Sequence, residues 1–479
     1  MKFQYIARPF LLGMMAMSLT ACGDFLEEKS QDLYIPKTTK DYKEFLLGEG
    51  LNHGKNNQVS LSEYLDVLTD DVSEYVNVRR KNATDSRERM WGYYIWNDDP
   101  EVDYNNTVRA DNSWDVYYHR ILVSNVILNN LAEATGTEQE RKDLEGEARF
   151  LRAWSYFMLV NTYAAPYEND AQANATQAVP INNAISVENK KLAKATLGDI
   201  YRLIEHDLEA SIKAFEAAAT EKTIYRPNLS TAWLLRSRVA LFKKQYDKAA
   251  EYATQTIKTS NKKLYDLTNG VEENKDRFLN EKNTEVLFTY GPDAADAFKL
   301  QNYITANNSE KGCFIVNPEL ISMYTKKDVR LEACYYTKMR RAKPYKYYAL
   351  RSHGMYPYAF HLAEAYLNRA EAYVEGGKVA EALKDLDAIR DNRIYNNKAL
   401  TATSAEEALQ LVKDERRREL SFEGIRWFDL RRWGCPELKH TYSSSDVGGE
   451  KTEYVLKQGD KRYTLPIPRA ERLINTNLQ

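Results

Sequence analysis

The sequence predicts a mainly α-helical protein, and three observations carry that reading. Apolar residues recur at steps of three and four through several long stretches, the period of a helix with one buried face. A helix–turn–helix segment occurs twice with a constant offset. Between the helical blocks lie aromatic-rich stretches with no sustained period, which suit loops and short strands mounted on a helical frame.

The elements follow in chain order. From Trp114, the positions Trp114, Tyr118, Ile121, Leu128 and Leu131 hold one face, with Asn125 set into the same stripe. "EGEARFLRAWSYFMLVNTY" (Glu145–Tyr163) is apolar almost all round after Phe150, as a helix buried on most sides is. Ala165–Val187 reads as a loop rich in Ala, Asn and Gln. "TLGDIYRLIEHDLEASIKAF" places Thr196 and Asp199 at capping-box spacing. Leu197, Ile200, Ile204, Leu208, Ile212 and Phe215 then form the stripe of a helix. "AWLLRSRVALFKKQYDKAAEYATQTI" (Ala232–Ile257) superposes on "AYLNRAEAYVEGGKVAEALKDLDAIR" (Ala365–Arg390) with an offset of 133. Each reads as helix, short turn, helix, and resembles a degenerate tetratricopeptide-repeat pair. One such pair cannot bury its own apolar face, so both must pack on other helices. "EVLFTY" (Glu285–Tyr290) reads as a strand. Gly291 to about Tyr358 shows only scattered aromatics, and Tyr442–Gly459 is a Ser/Gly-rich loop. Long irregular segments in a compact protein are usually functional or disordered; their aromatic load favours function.

The N-terminus carries a further signal. Met1–Ala21 has Lys2 and Arg8 before "FLLGMMAMSLTA", an apolar run shorter than the ~20 residues a spanning helix needs. It reads as an export signal. Leu19-Thr20-Ala21-Cys22 fits a bacterial lipobox, so Cys22 is the expected site of lipidation; an ordinary secretory peptide with a chance cysteine is the alternative. More than one acyl chain makes a stable anchor, and the body would stay in water. Without residues 1–21 the chain keeps 65 basic against 69 acidic residues, a net charge near −4. That excludes an ordinary nucleic-acid-binding protein, which is basic on average. The cysteines after Cys22 (Cys313, Cys334 and Cys435) have neither disulfide-framework nor zinc spacing. A mean hydropathy of −0.62 alongside 34 tyrosines describes a solvated chain rich in amphipathic rings, which serve interfaces and sugar stacking as readily as cores.

Catalytic signatures are absent: no G-x-S-x-G, H-E-x-x-H, Walker loop or G-x-G-x-x-G. His53, His119, His206, His353, His361 and His440 have no ligand spacing and read as surface residues. Acid pairs such as Asp70-Asp71 and Asp98-Asp99 do not fix the carboxylate separation a glycosidase requires. "NDDPEVD" (Asn97–Asp103) could offer oxygens to calcium but lacks a known loop spacing. No cofactor or metal is implied.

"DERRRELSFEGIRWFDLRRWG" (Asp414–Gly434) packs six arginines, five acids and two tryptophans into 21 positions. Glu415, Glu419 and Glu423 stand four apart with arginines within one turn, so the charges can pair along a helix. Leu420, Phe422, Trp427, Phe428, Leu430 and Trp433 supply bodies on which guanidiniums can stack. A phosphate grip would leave arginines unpaired; the balance here points to a structural role.

The same stretch closely resembles the signature of the SusD/RagB family of glycan-binding lipoproteins. Other segments resemble the family in the same order: "GDFLE" after Cys22, "WDVYYHRILVSNVIL", "EARFLRAWSYFMLVNTYAAPY", "HLAEAYLNRAEAYVEGGKVAEALKDLDAIR" and "YTLPIPRAERLINTNLQ". Asn475-Thr476 departs from a usual Asn-Pro. The resemblance spans Cys22–Gln479. It implies one SusD-like domain over 22–479, with an N-terminal part to about 220 and a C-terminal part from about 221. Tetratricopeptide-like helix pairs would form the scaffold, and an irregular loop and short-strand side would carry the ligand site. It further implies no enzymatic activity, outer-membrane lipid anchorage through Cys22 with the body facing the cell exterior, an oligosaccharide ligand, and a SusC-like TonB-dependent transporter as partner.

The resemblance places the ligand site in the loop before the Trp114 helix, here "RMWGYYIWNDDPEVD". Sugar rings stack on aromatic faces while polar side chains meet their hydroxyls. Trp96, Asn97 and Asp98 are the expected glycan contacts, with Trp91 or Tyr94 as a second platform. Tyr290, Phe314, Tyr345 and Tyr347 are further candidates from the irregular middle. Trp114, Trp154, Trp233, Trp427 and Trp433 are expected in the core. A scaffold that binds peptide or protein on its repeat helices, and a secreted glycan-processing enzyme, stand as the rival readings.

Overall fold

The computed structural model describes residues 36–51, 62, 64–75, 87–109, 112–188, 190–269, 283–289, 314–340, 343–350, 359–445 and 449–479, with backbone alone at 336–340 and 343–350. The export signal, Cys22 and Tyr290 lie outside the described residues. Among the described residues the frame is built by α1 (Ser113–Asn130), α2 (Glu138–Tyr163), α3 (Leu197–Ala218), α4 (Leu229–Phe242), α5 (Tyr246–Ser260), α6 (Leu362–Glu375), α7 (Val379–Asp391), α8 (Ala405–Glu419), α9 (Arg426–Arg432) and α10 (Arg469–Ile474); shorter helical turns lie between them.

Local chemistry explains where these helices start. Thr137 and Glu140 form a reciprocal capping box at α2, which therefore begins seven residues before the apolar stretch. At α3 the Thr196 hydroxyl accepts from Asp199 N and donates to the Asp199 carboxylate (2.6 Å). The two repeat copies become α4–α5 and α6–α7. Their starts, Leu229 with Leu362 and Tyr246 with Val379, keep the sequence offset of 133. Helix α5 packs across α6, so the copies bury each other's small residues: Ala240, Ala249 and Ala372 share one cluster. Trp114, Trp154 and Trp427 are buried as expected. Trp233 and Trp433 are only half-buried, each with a guanidinium over its ring, Arg236 and Arg432 respectively.

The strands are short and antiparallel. β1 (Val72–Glu74) pairs with β3 (Phe314–Val316), and β2 (Val286–Phe288) with β6 (Phe360–His361). β4 (Tyr335–Arg340) pairs with β5 (Lys343–Leu350), and β7 (Leu438–Ser443) with β8 (Lys451–Leu456). The stretch read as a Ser/Gly-rich loop is thus largely a hairpin. Its Thr, Tyr and Val residues hold the β7–β8 ladder, and Ser444, Ser445 and Gly449 lie between the two strands.

The arginine-dense segment is structural: Arg418 pairs with Glu415 and Arg432 with Asp429 along their helices, and the other arginines reach further. The chain leaves helical geometry at Leu420 and turns through Phe422 and Gly424, both at positive φ, before α9. This turn sends the charges to distant partners. Arg416 meets Asp429 (2.7 Å) and Asn368 (2.7 Å). Arg417 meets Asp71 (2.7 Å), Arg426 holds Asp70 with two bonds (3.0 and 2.8 Å), and Arg432 grips Glu371. Arg330, fully buried, binds Asp328, Glu415 and Glu419 at 2.7 Å each. Arg393 sits between Glu285 (2.9 Å) and Glu419 (2.7 Å). Arg431 meets no carboxylate among the described residues; it donates to the carbonyls of Asn161 and Ala164 at the C-terminus of α2, where a positive charge is favourable.

His361 is no surface residue either. It is buried between Glu285 (3.3 Å) and Glu423 (3.0 Å). Burial alone would lower its pKa, but the two carboxylates hold it well above the ordinary value, so it joins the network as a cation.

Asp66 is the exception in this network. It is buried, accepts one bond from Gly424 N (3.2 Å), and its Oδ2 has no hydrogen-bond partner among the described residues. Burial, reinforced by Asp71, raises its pKa to about 8. In the unfolded chain an aspartate ionises near pH 3.9. A folded value raised this far means stability is lost as pH climbs between those two values, by about 1.4 kcal/mol per unit. Asp66→Asn keeps the acceptor for Gly424 and removes the charge. The melting temperature of the variant relative to the native chain should therefore rise from pH 5 to pH 8; a difference that stays flat with pH would refute this account.

Candidate functional site

The segment 87–109 builds a loop on the face formed by β1, β3 and the β7–β8 hairpin. A single helical turn, Trp91–Tyr94, opens it. Gly92 is required here: a Cβ at this position would lie 2.5 Å from the carbonyl oxygens of both Pro100 and Val102. The returning strand of the loop therefore presses directly on the turn. Asp103 closes the far end, accepting from Asn105 N (2.9 Å), Thr107 N (2.8 Å) and Arg109 Nε (2.8 Å). The Arg109 N–H also reaches Glu101 O (2.8 Å), so the tip Tyr104–Val108 projects as a rigid turn.

Trp96 is not a ligand platform. It is 2% exposed, its ring stacks on His440 (4.2 Å, 17°), and its indole N–H donates to Leu68 O (2.9 Å). Trp96 takes positive φ, 55°, a conformation rare for a bulky residue. Tyr94 stacks on the opposite face of the same imidazole (4.2 Å, 9°) and is 1% exposed. His440 is the centre of this three-ring stack and is buried, contrary to the surface role expected of it. Its ring nitrogens face Tyr94 O (2.6 Å) and Thr69 O (2.9 Å); burial lowers its pKa to about 4, against the pull of these two acceptors. Phe314 is fully buried in β3 against Tyr94 (4.9 Å) and likewise belongs to the core. Tyr345 and Tyr347 lie on β5, their side chains outside the described residues.

Three expected residues stay at the surface. Trp91 is half-buried and its indole nitrogen has no hydrogen-bond partner among the described residues. Asn97 is half-buried, its side-chain oxygen accepting from Asp99 N (3.2 Å). Asp98 is exposed beside Lys461 (3.5 Å). The structure adds Tyr104, 40% exposed, edge-on to Trp91 (5.8 Å, 83°) and backed by Tyr442 (5.5 Å). Arg87 in turn lies over the Tyr442 ring (4.2 Å). Beside Tyr104, the Asn105 amide donates to Glu88 (2.8 Å). Tyr104 falls one residue beyond the stretch taken as the site; the Asn105-Asn106 pair after it, a strong turn signal, could have marked it as a loop tip.

Among the described residues one group of potential metal ligands converges, Glu285, His361 and Glu419. The guanidinium of Arg393 bonds both carboxylates, so that place is filled by a cation of the chain itself. The acids of Asn97–Asp103 turn elsewhere: Asp103 to Arg109, Asp99 towards Arg469 (3.7 Å), and Glu101 to Arg469 N (2.6 Å).

Fold and site together define a helical-repeat scaffold that presents a loop-borne aromatic surface. Residues 24–241 match the family model described as starch-binding associating with outer membrane, and 256–479 match the SusD family. The chain belongs to the SusD/RagB family, whose members bind carbohydrate at the outer membrane. Its fold is similar to that of a proposed sugar-binding protein of Bacteroides vulgatus (25% identity, 93% of this chain and 98% of that one, TM-score 0.70). It is also similar to a SusD superfamily protein of Bacteroides thetaiotaomicron (21% identity, 92% and 98%, TM-score 0.68). A SusD-like carbohydrate-binding protein of Bacteroides vulgatus shares the fold as well (19% identity, 92% and 97%, TM-score 0.67). No curated protein matches the chain. Among the described residues no helix is long and apolar enough to cross a membrane.

Because Trp96 is a core residue, Trp96→Ala should lower stability by about 3–5 kcal/mol, the usual cost of emptying a buried aromatic site. Thermal denaturation of the variant checks this; an unchanged melting temperature would mean the ring is not packed as described.

Proposed function

We propose that this protein captures oligosaccharides on the Trp91–Tyr104 surface and hands them to a SusC-like TonB-dependent transporter, itself performing no catalysis. The supporting observation is the pairing of one exposed and one half-buried ring at a rigid loop tip. The family's carbohydrate binding gives that surface its ligand class. The Tyr104 face removes the apolar side of a sugar from water, with the half-buried Trp91 ring beside it. Asn97, Asp98 and Asn105 stand around these rings with amide and carboxylate groups suited to the hydroxyl rim. The body is held at the outer membrane by acylated Cys22 in this reading.

A panel of polysaccharides in affinity gels tests the proposal. Tyr104→Ala and Trp91→Ala should each weaken retardation roughly tenfold, about 1.4 kcal/mol of lost stacking, while the melting temperature of Tyr104→Ala stays close to native. Retardation unchanged in both variants would place the ligand elsewhere.

A further inference from the structure

One stretch of this mildly acidic chain is strongly basic. Residues 335–350, "YYTKMRRAKPYKYYAL", hold five cations (Lys338, Arg340, Arg341, Lys343 and Lys346), five tyrosines and no acid. Its strands are β4 and β5, whose register pairs Tyr335 with Leu350, Thr337 with Tyr348, Tyr336 with Ala349 and Lys338 with Tyr347. Successive residues of a strand alternate between its two faces. Tyr335 is buried and its hydroxyl bonds that of Ser421 (2.6 Å), so the face it shares with Thr337 and Tyr348 is the one toward the body. The opposite face carries Tyr336, Lys338 and Tyr347, with Tyr345 two residues further along β5. The ladder then shifts register and pairs Arg340 with Lys343 at its far end. The acids nearest in sequence are Glu319 and Glu332, both exposed, and Asp328, which is bound to Arg330. Exposed Lys326 and Lys327 lie among them, so residues 318–350 hold eight cations against three acids. The ribbon also has a defined neighbour. β5 packs against β3, β3 pairs with β1, and β1 packs against β7, whose Tyr442 backs Tyr104. It therefore continues the strand layer that carries the aromatic loop.

We propose that the β4–β5 ribbon is an anion-binding extension of the Trp91–Tyr104 surface, and that the captured oligosaccharide is acidic, carrying uronate carboxylates or sulfate esters. This rests on the glycan reading above and adds the charge class of the ligand. An acidic sugar keeps an apolar ring face, which suits tyrosine, and bears its anion at the rim, which suits lysine and arginine. Residue types of both kinds alternate with each other along one ribbon here. The guanidinium of Arg340 offers the paired donors that a carboxylate or sulfate accepts, and lysine supplies a mobile point charge beside it. The net charge near −4 of the chain after residue 21 makes the ribbon a local feature and not part of a generally basic surface.

The test runs the mature chain with Cys22→Ser in native gels holding polygalacturonate, dextran sulfate or unmodified dextran. The first carries carboxylates and the second sulfates, so the two gels identify which anion is taken. Retardation in at least one charged gel, well above that in dextran and falling as salt is raised, is expected. Lys338→Gln with Lys343→Gln should weaken it about fivefold, the usual worth of two exposed ion pairs. Lys338→Arg with Lys343→Arg should preserve it. Tyr104→Ala should weaken it too, because the two surfaces hold one ligand. Equal retardation in charged and neutral gels, or charged-gel retardation untouched by the glutamine pair, overturns the proposal; if Tyr104→Ala still weakens binding in that case, the glycan reading stands without it. Equal retardation by polyglutamate also overturns it, since the ribbon would then take any polyanion. So does a loss caused by the glutamine pair but not by Tyr104→Ala, which would separate the ribbon from the aromatic surface.

Discussion

The structure depends on a buried lattice of arginines and carboxylates centred on α8 and α9. Arg330, Arg393 and Arg416 are essentially inaccessible, as are Glu285, Glu415, Glu419 and Asp429. Charges in such a place are tolerable only when every one is met. Removing one partner from a buried pair typically costs 3–5 kcal/mol, whereas the intact pair adds little net stability. The lattice therefore specifies more than it stabilises. Arg393 draws together Glu285 beside β2 and Glu419 of α8. Arg417 and Arg426 fix the 66–71 segment, and Arg432 and Arg238 tie α9 and α4 to the repeat helix α6 through Glu371 and Glu364. A wrongly packed arrangement would strand several charges at once.

That frame is what lets a loop remain rigid at the surface. Leu68 and Thr69, next to the anchored Asp70 and Asp71, offer their carbonyls to Trp96 and His440. The three-ring stack of Tyr94, His440 and Trp96 then pins the base of the loop, leaving Trp91 and Tyr104 as its outward surface. The aromatic residues of this segment thus divide into two sets with opposite tasks, those that hold the loop and those that can meet a ligand.

Helix periods, the offset repeat and the charge balance of Asp414–Gly434 were all readable from residues alone, because each is written in local spacing. Partner choice within the arginine segment was not: the positive-φ turn at Phe422 and Gly424 breaks the expected helix and redirects the side chains to acids far away in sequence. The same limit explains Trp96. Composition marks a tryptophan in a polar loop as a candidate platform, yet its ring is held inward against the distant His440. Nothing within the segment itself announces that stacking partner. His361 was misplaced for a similar reason, since Glu285 and Glu423 reach it from separate parts of the chain.

The lattice also bears on the order in which the chain can mature. Arg417 and Arg426 lie some 350 residues after the aspartates they bind. Until that late segment arrives, Asp70 and Asp71 have no counter-charges, and burying them would be prohibitively unfavourable. The 66–71 segment can therefore take its buried place only once the C-terminal part of the chain is present, which makes its docking a late event in folding.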